Sequence, residues 1–262
     1  MFKKELKIFF TALMFYTRIP CPKWADHSPE YLNKATRYFP LVGWLVGMLT
    51  FLVYRLSSEV FNPEISVILS MISGILITGA FHEDGFSDMC DGFGGGWTKT
   101  RILEIMKDSR VGVYGVIGLT FLLLLKFFLI VQLVQITHHL IFNKWVTLLL
   151  LFIAAQSLSR LAAASIIFTH KYVSEDLTSK SKPIAQSFSW KEVIGAFLFG
   201  LIPLIILSLF AFQLIFIVIP VAISRFFLAR YFQKWIGGYT GDCLGATQQV
   251  CEIVFYLSVI GI

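Results

Sequence analysis

Charge is scarce in this chain, and acid is scarcest. Only 15% of the 262 residues are Asp, Glu, Lys or Arg, against about 25% in an ordinary soluble domain, and 16 acids face 22 Lys and Arg for a formal net charge of +6. That shortage excludes a disordered chain and argues against a soluble domain with a fully solvated surface. The four cysteines, Cys21, Cys90, Cys243 and Cys251, have no CxxC or paired spacing, which speaks against a disulfide framework or a thiolate zinc site and marks them as reduced thiols. The Gly-rich stretch Gly92–Gly96 is followed by no Gly-Lys-Ser/Thr, so it is no P-loop. The first apolar stretch, Ile8–Tyr16, lacks a small-residue cleavage site and runs into Pro20 and Pro22, which weakens the reading as a signal peptide. It is too short to cross a bilayer and, with Lys3, Lys4 and Lys7 before it and Arg18 after it, reads as an interfacial helix.

What fills the chain is apolar surface: 56% of residues are hydrophobic and the mean hydropathy is +0.75. The apolar runs reach spanning length, so the fold class is all-α, a polytopic membrane bundle of about 7 transmembrane helices with amphipathic interfacial helices. Spans are expected at about 39–57, 64–81, 112–136, 145–167, 192–211, 213–230 and 246–262. The fifth and sixth are separated only by 211–213, and Pro203 and Pro220 can break them or make them re-enter. Segments 1–38, 82–111, 168–191 and 231–245 carry seven, four, four and one Lys or Arg, which orients them to the cytoplasm. The lipid bilayer is therefore the expected large partner. The pI of about 9.1 follows from this asymmetry and needs no nucleic acid to explain it.

Against this background one segment stands out. Six of the 16 acids, Glu83, Asp84, Asp88, Asp91, Glu104 and Asp108, fall between residues 83 and 108. On a helix turning roughly 100° per residue, Asp88 lies roughly 40° from Asp84 and Asp91 roughly 20° on its other side, so the three carboxylates share a narrow face. Such a face suits a hard divalent cation with oxygen ligands, Mg²⁺ before Ca²⁺ or Zn²⁺. A solvated acidic face is the bland alternative, and it loses weight because acids are so few elsewhere. Cys90 lies at a spacing that points it away from the carboxylates. The next stretch, Arg101–Gly115, reads as an amphipathic helix in which Asp108 could add a metal ligand and Lys107 and Arg110 are placed to neutralise phosphate oxygens. A juxtamembrane basic anchor is the alternative there. A third cluster, Gly237–Ala246, carries Asp242 on the same side as Asp84, with Glu252 inside the last span. Arg160 and Arg225 are close to the cytoplasmic ends of their spans, where a charge lines a polar cavity or pairs with an acid such as Glu252. Lys126 is deeper and is expected to snorkel.

The string His82-x-Asp84-Gly85-x-x-Asp88-x-x-Asp91-Gly92, followed by Ile105-Met106-Lys107-Asp108-Ser109-Arg110-x-Gly112-x-Tyr114-Gly115, closely resembles the cobalamin synthase family, the adenosylcobinamide-GDP ribazoletransferases. The resemblance extends over the whole chain, through Phe15–Pro20, Arg37–Gly43 and Gly238-x-Thr240-Gly241-Asp242-x-x-Gly245-Ala246 with Glu252. Glu83 and Gln249 are given no essential role. The resemblance implies a single membrane-embedded transferase domain over 1–262, with 82–115 as the cytoplasmic catalytic segment and 231–246 as a second cytoplasmic Gly-rich segment. It implies Mg²⁺ as cofactor, and adenosylcobinamide-GDP with α-ribazole or its 5′-phosphate as substrates at the cytoplasmic (inner) membrane. The family chemistry fits Asp84, Asp88 and Asp91 as metal ligands, with Asp108 and Asp242 as further candidates. His82 or one of the same aspartates is the candidate general base, the alternative being that His82 only hydrogen-bonds the motif's backbone. Arg37, Lys107, Arg110 and Arg160 are expected to bind phosphate. One or two ions, and whether the chain forms a homo-oligomer, are left open. A CDP-alcohol phosphotransferase is a poorer match, since Asp88-Met89 stands where that family has Ala-Arg. A divalent-cation transporter needs carboxylates at mid-bilayer, where only Glu252 is expected.

Overall fold

The computed structural model describes residues 2–25, 28–137, 143–173 and 189–262. The described residues fold into eleven α-helices: α1 Phe2–Tyr16, α2 Pro29–Ala35, α3 Phe39–Ser57, α4 Pro63–Thr78, α5 Phe81–Gly95, α6 Lys99–Lys107, α7 Val113–Thr137, α8 Lys144–Ile167, α9 Trp190–Ser208, α10 Val218–Ile236 and α11 Gly241–Ile260. Among them, six helical stretches are long and apolar enough to cross a membrane, and the bent pair α4–α5 would make a seventh. The bundle is that of a multi-pass membrane protein. The fifth and sixth expected spans are present as α9 and α10, joined by a 3₁₀ turn at Phe212–Ile217. Pro203 sits inside α9 without ending it. The last span opens at Gly241, earlier than the apolar run suggests, because Thr240 caps it by accepting the Cys243 N–H at 3.3 Å.

The second expected span, 64–81, differs. Asn62 caps α4 through the Ile65 N–H at 3.0 Å and Pro63 occupies its first turn, but Gly79 and Ala80 are both left-handed, at φ 67° and 58°. Gly79 adopts this freely, whereas Ala80 does so at a cost of about 1 kcal/mol or more. The two residues turn the chain through 87°, and α5 leaves in a new direction.

Close backbone approach sets the bundle's geometry. A Cβ on Gly43 would lie 2.6 Å from the Gln156 carbonyl, and one on Gly47 2.6 Å from that of Phe152, so α3 and α8 run antiparallel with their backbones in contact, as small residues allow in membrane helices. The core is built on α7, α8, α9 and α11, including Leu133, Val134, Leu151, Ala155, Leu158, Leu204 and Phe255. Two smaller clusters lie under α6, with Ile102, Leu103 and Met106, and under α1, with Ile8, Ala12 and Tyr16. The α1 helix is thus packed on the bundle along one side. Most of the basic segment 168–191, namely 174–188, lies outside the described residues.

The starts of α3, α7, α9 and α11 meet at one end of the bundle with the ends of α8 and α10, and α6 lies across this polar end. Along α5, Glu83 reaches Gln249, Gly85 touches Asp242 and Gly245, and Asp91 reaches Gly112 and Gly115. The helix therefore climbs between α7 and α11, from about two turns inside the bundle out to the polar end. The segment expected wholly outside the membrane begins inside the protein.

Candidate active site

The carboxylates expected to act together divide into two kinds. Asp84 is exposed and Asp88 half-buried on the outer side of α5, and Asp242, also half-buried, stands in the first turn of α11. The backbones meet there: a Cβ on Gly85 would lie 3.0 Å from the Asp242 Cα. Asp88 feels the charges of Asp242, Asp84 and Asp91, in that order of strength. Asp242 has one polar contact, accepting the Thr240 hydroxyl at 3.3 Å, and among the described residues no Lys or Arg pairs with Asp84, Asp88 or Asp242.

Asp91 is different, and its place in the expected ligand set needs correction. It is buried, and its two oxygens accept the backbone N–H groups of Gly112 at 2.7 Å and Gly115 at 2.8 Å. These are donors that the first turn of α7 leaves without helical partners. A Cβ on Gly115 would lie 2.4 Å from the carboxylate, so only glycine lets α7 approach. The carboxylate caps α7 and ties α5 to it.

The other expected residues are distributed as follows. Asp108 ends α6 and holds Arg110, accepting its Nη2 at 2.6 Å and its Nε at 3.0 Å. Arg110, by side chain and then backbone, holds the Asp108 carboxyl down to about 2. Asp108 is therefore a partner of Arg110 and stands apart from the Asp84–Asp88–Asp242 group. Arg110 is 87% exposed, and with Arg101, Glu104 and Tyr114 it lines a cleft of about 560 Å³ that reaches Asp91. Lys107 is exposed on α6. Arg37 is not open to a phosphate: it lies between Glu192 at 2.8 Å and Glu5 at 3.2 Å, clamping α9 to α1. Arg160 is 1% exposed, inside the bundle rather than at its polar end. It donates to the Gln156 carbonyl at 3.0 Å and to the Gln156 side chain.

His82 also points inward. It is 2% exposed, stacked on Phe39 with ring centroids 5.8 Å apart, while Asp84 faces outward. Its Nε2, Glu83 Oε2, Arg160 Nε and Gln248 Oε1 have no hydrogen-bond partner among the described residues, and their side chains line an interior cavity of about 50 Å³, room for about three or four waters. As placed, His82 serves this interior and does not face the outer carboxylates.

A buried polar chain joins this cavity to α5, and the sequence reading did not assemble it. Lys126 does not snorkel; it donates to Gln249 at 2.7 Å and to Glu252 at 3.0 Å. Gln249 donates to Glu83 at 2.8 Å, and Glu252 also accepts from Gln156 at 2.7 Å and Gln248 at 3.0 Å. The signal was present as three polar residues, Gln248, Gln249 and Glu252, on one face of an apolar span, His82's neighbour Glu83 opposite them, and a single lysine in α7. With Glu252 neutralised by Lys126, the one mid-bilayer carboxylate expected of a cation transporter is already paired.

Whether the outer carboxylates suit a metal ion can be judged from their chemistry. Among the described residues no group of three or more His, Cys, Asp or Glu side chains stands close enough together to hold a metal ion by itself. Mg²⁺ does not require one, since it keeps several waters and takes one or two carboxylates together with substrate phosphates. Asp84, Asp88 and Asp242 offer only hard oxygen donors, and their mutual repulsion lacks a protein cation to offset it. The donor set fits.

The comparisons with known proteins agree over nearly the full length. Residues 8–260 match the family model described as cobalamin-5-phosphate synthase. A protein of Shewanella amazonensis named adenosylcobinamide-GDP ribazoletransferase is 47% identical over 256 residues, covering 98% of this chain and 95% of its own. Proteins of the same name from Shewanella oneidensis and Shewanella piezotolerans are 46% identical over 261 residues and 44% identical over 255, covering 98% and 97% of this chain and 96% and 95% of theirs. No solved structure matches the chain significantly. With the acidic turn, the α6 motif and the Gly-rich entry to α11 all falling within the matched residues, the chain belongs to the cobalamin-5-phosphate synthase family.

Proposed function

We propose that this enzyme transfers the cobinamide phosphate group of adenosylcobinamide-GDP to α-ribazole or its 5′-phosphate, with Mg²⁺, at the cytoplasmic face of the inner membrane. The observation that carries the reading is the close crossing of α5 and α11, with a Cβ on Gly85 3.0 Å from the Asp242 Cα, which sets Asp84, Asp88 and Asp242, paired with no Lys or Arg among the described residues, at the end of the bundle where the basic segments lie. Membership of the family supports the overall reaction, and the basic residues support the cytoplasmic side.

In this reading the ribose hydroxyl of the ribazole attacks the phosphorus nearer cobinamide, the new P–O bond forms in line with the bond to GMP, and GMP leaves with the electron pair of the broken bond. Asp84, Asp88 and Asp242 would hold Mg²⁺, which when bound polarises the diphosphate oxygens and offsets charge on the departing GMP. Arg110, on the rim of the outer cleft, and Lys107, at the end of α6, supply cationic contacts to the remaining phosphate charge. The hydroxyl proton passes to an aspartate of the same group, because these carboxylates face the open end where a large corrin has access and His82 does not.

The test is incubation of membranes with adenosylcobinamide-GDP and α-ribazole 5′-phosphate while GMP is followed. GMP release that requires both substrates and Mg²⁺, and stops on chelation, is the expected result. Equal release in the presence of excess chelator would remove the metal from the proposal, and no release at all would remove the reaction.

A further inference from the structure

The helix that carries Asp84 and Asp88 packs through Phe86, Met89 and Phe93, but its crossing with α11 is made by small residues. Its sequence from Phe81 to Gly95 includes Gly85, Gly92, Gly94 and Gly95, and where it crosses α11 the contact is glycine on glycine, a Cβ on Gly245 lying 3.4 Å from the Gly85 Cα. A smooth contact of this kind brings two backbones close and by itself does little to set their register, because glycine offers no side chain to interlock at that point. Yet the register decides the site: a shift of one helical residue moves Asp84 and Asp88 by about 1.5 Å and turns them by about 100° relative to Asp242.

Polar contacts fix α5 at both ends. At the outer end Asp91 is held by two amides of α7. At the inner end Glu83, 9% exposed, accepts from Gln249, and Gln249 is held in turn by Lys126, itself paired with Glu252. Glu83 and Asp84 are adjacent, so one helical step points the first inward and the second outward. Ionised groups inside a bundle cost more than apolar packing and are best accounted for where they specify one arrangement among several.

We propose that the chain Glu83–Gln249–Lys126–Glu252 is a positioning device that pins the inner end of α5 and so sets where Asp84 and Asp88 stand against Asp242. Its consequence for catalysis rests on the transfer reaction proposed above, whereas its consequence for α5 does not. Glu83 and Gln249 are positioning residues that touch no substrate, and Asp91 is the second pin.

The experiment is hydrogen–deuterium exchange on the full-length protein in detergent or nanodiscs, with GMP release measured on the same samples. Gln249→Ala breaks the link to Glu83 while keeping the Lys126–Glu252 pair. The double variant Glu83→Leu/Gln249→Leu removes both partners together, so that neither is left orphaned while Lys126 keeps Glu252, and so guards against simple misfolding. Both are expected to raise exchange of the amides of residues 85–90 by about tenfold, with α3 and α8 unchanged, because local opening is released while the global fold is kept. Glu83→Gln, which still offers an acceptor to Gln249, is expected to restore exchange to the starting rate. In the active enzyme the two disruptive variants should also need about tenfold more Mg²⁺ for half-maximal rate, with KM for the GDP-linked substrate little changed. Exchange at 85–90 equal to that of the parent in both disruptive variants overturns the proposal, and so does an equal rise across α3 and α8, which marks general loss of stability. Local acceleration in the two disruptive variants, with no GMP released by the parent protein, would retain the pin and reject the transfer reaction.

Discussion

Asp88 and Asp91 stand three residues apart on one helix and do different work. Asp91 spends its carboxylate on two amides of α7, while Asp88 is pressed by three other acids. Asp91→Ala should therefore cost about 1–2 kcal/mol of stability, the range for a lost helix cap, seen as a lower midpoint of thermal unfolding in detergent. Asp88→Asn removes one charge from a repelling group and should leave that midpoint unchanged or higher while abolishing GMP release; a large fall in the midpoint would show that Asp88 is structural. Helical spacing alone could not separate the two, because both roles put a carboxylate on nearly the same face. Only the arrival of Gly112 and Gly115 beside Asp91 assigns it. The Asp108–Arg110 pair allows a sign to be fixed. With the Asp108 carboxyl held down to about 2, the contribution of the pair is present above the ordinary carboxylate range of about 4 and is lost only as pH falls toward the lowered value. The shape of the rate profile between about pH 6 and 9 should thus be the same in Asp108→Asn, and a new inflection there would place Asp108 in the catalytic group.

Among the elements, α5 is the one whose existence was legible and whose course was not. Its acids at helical spacing announce a helix, and the apolar run before it announces a span. The 87° turn at Gly79 and Ala80 leaves no mark in hydropathy, because Gly and Ala are ordinary inside membrane helices. For the same reason Glu83 reads as one more acid of an exposed group until α5 is seen to start inside the bundle, beside Gln249. The crossing of α5 and α11 gives a test at this scale. A Cβ on Gly245 would lie 3.2 Å from the His82 carbonyl, so Gly245→Ala must push two backbones apart by a few tenths of an ångström. It should lower the rate of transfer by about tenfold or more, as small misplacements of catalytic groups do, with secondary structure by circular dichroism intact. A rate equal to the parent's would mean that the crossing does not need to be this close.

For the whole molecule, the question is which end faces the cytoplasm. The basic segments give an expectation from sequence, and accessibility to a membrane-impermeant maleimide tests it. Trp97→Cys, at a position 83% exposed near the acidic group, should label in inside-out vesicles and not in intact spheroplasts, whereas Val60→Cys, 76% exposed at the opposite end, should do the reverse. Labelling of position 97 from outside would invert the protein and place its carboxylates away from cytoplasmic nucleotides.

Hydropathy, charge asymmetry and motif were enough to determine an all-helical multi-pass chain and the family to which it belongs, since each depends on local runs of residues and on spacing along one helix. Which acid caps a helix and which accepts a buried hydrogen bond was decided by tertiary structure alone. A carboxylate's role depends on what comes within hydrogen-bonding distance of it, and here those groups come from helices far away in the chain: Gly112 for Asp91, Gln249 for Glu83, and the lysine of α7 for Glu252.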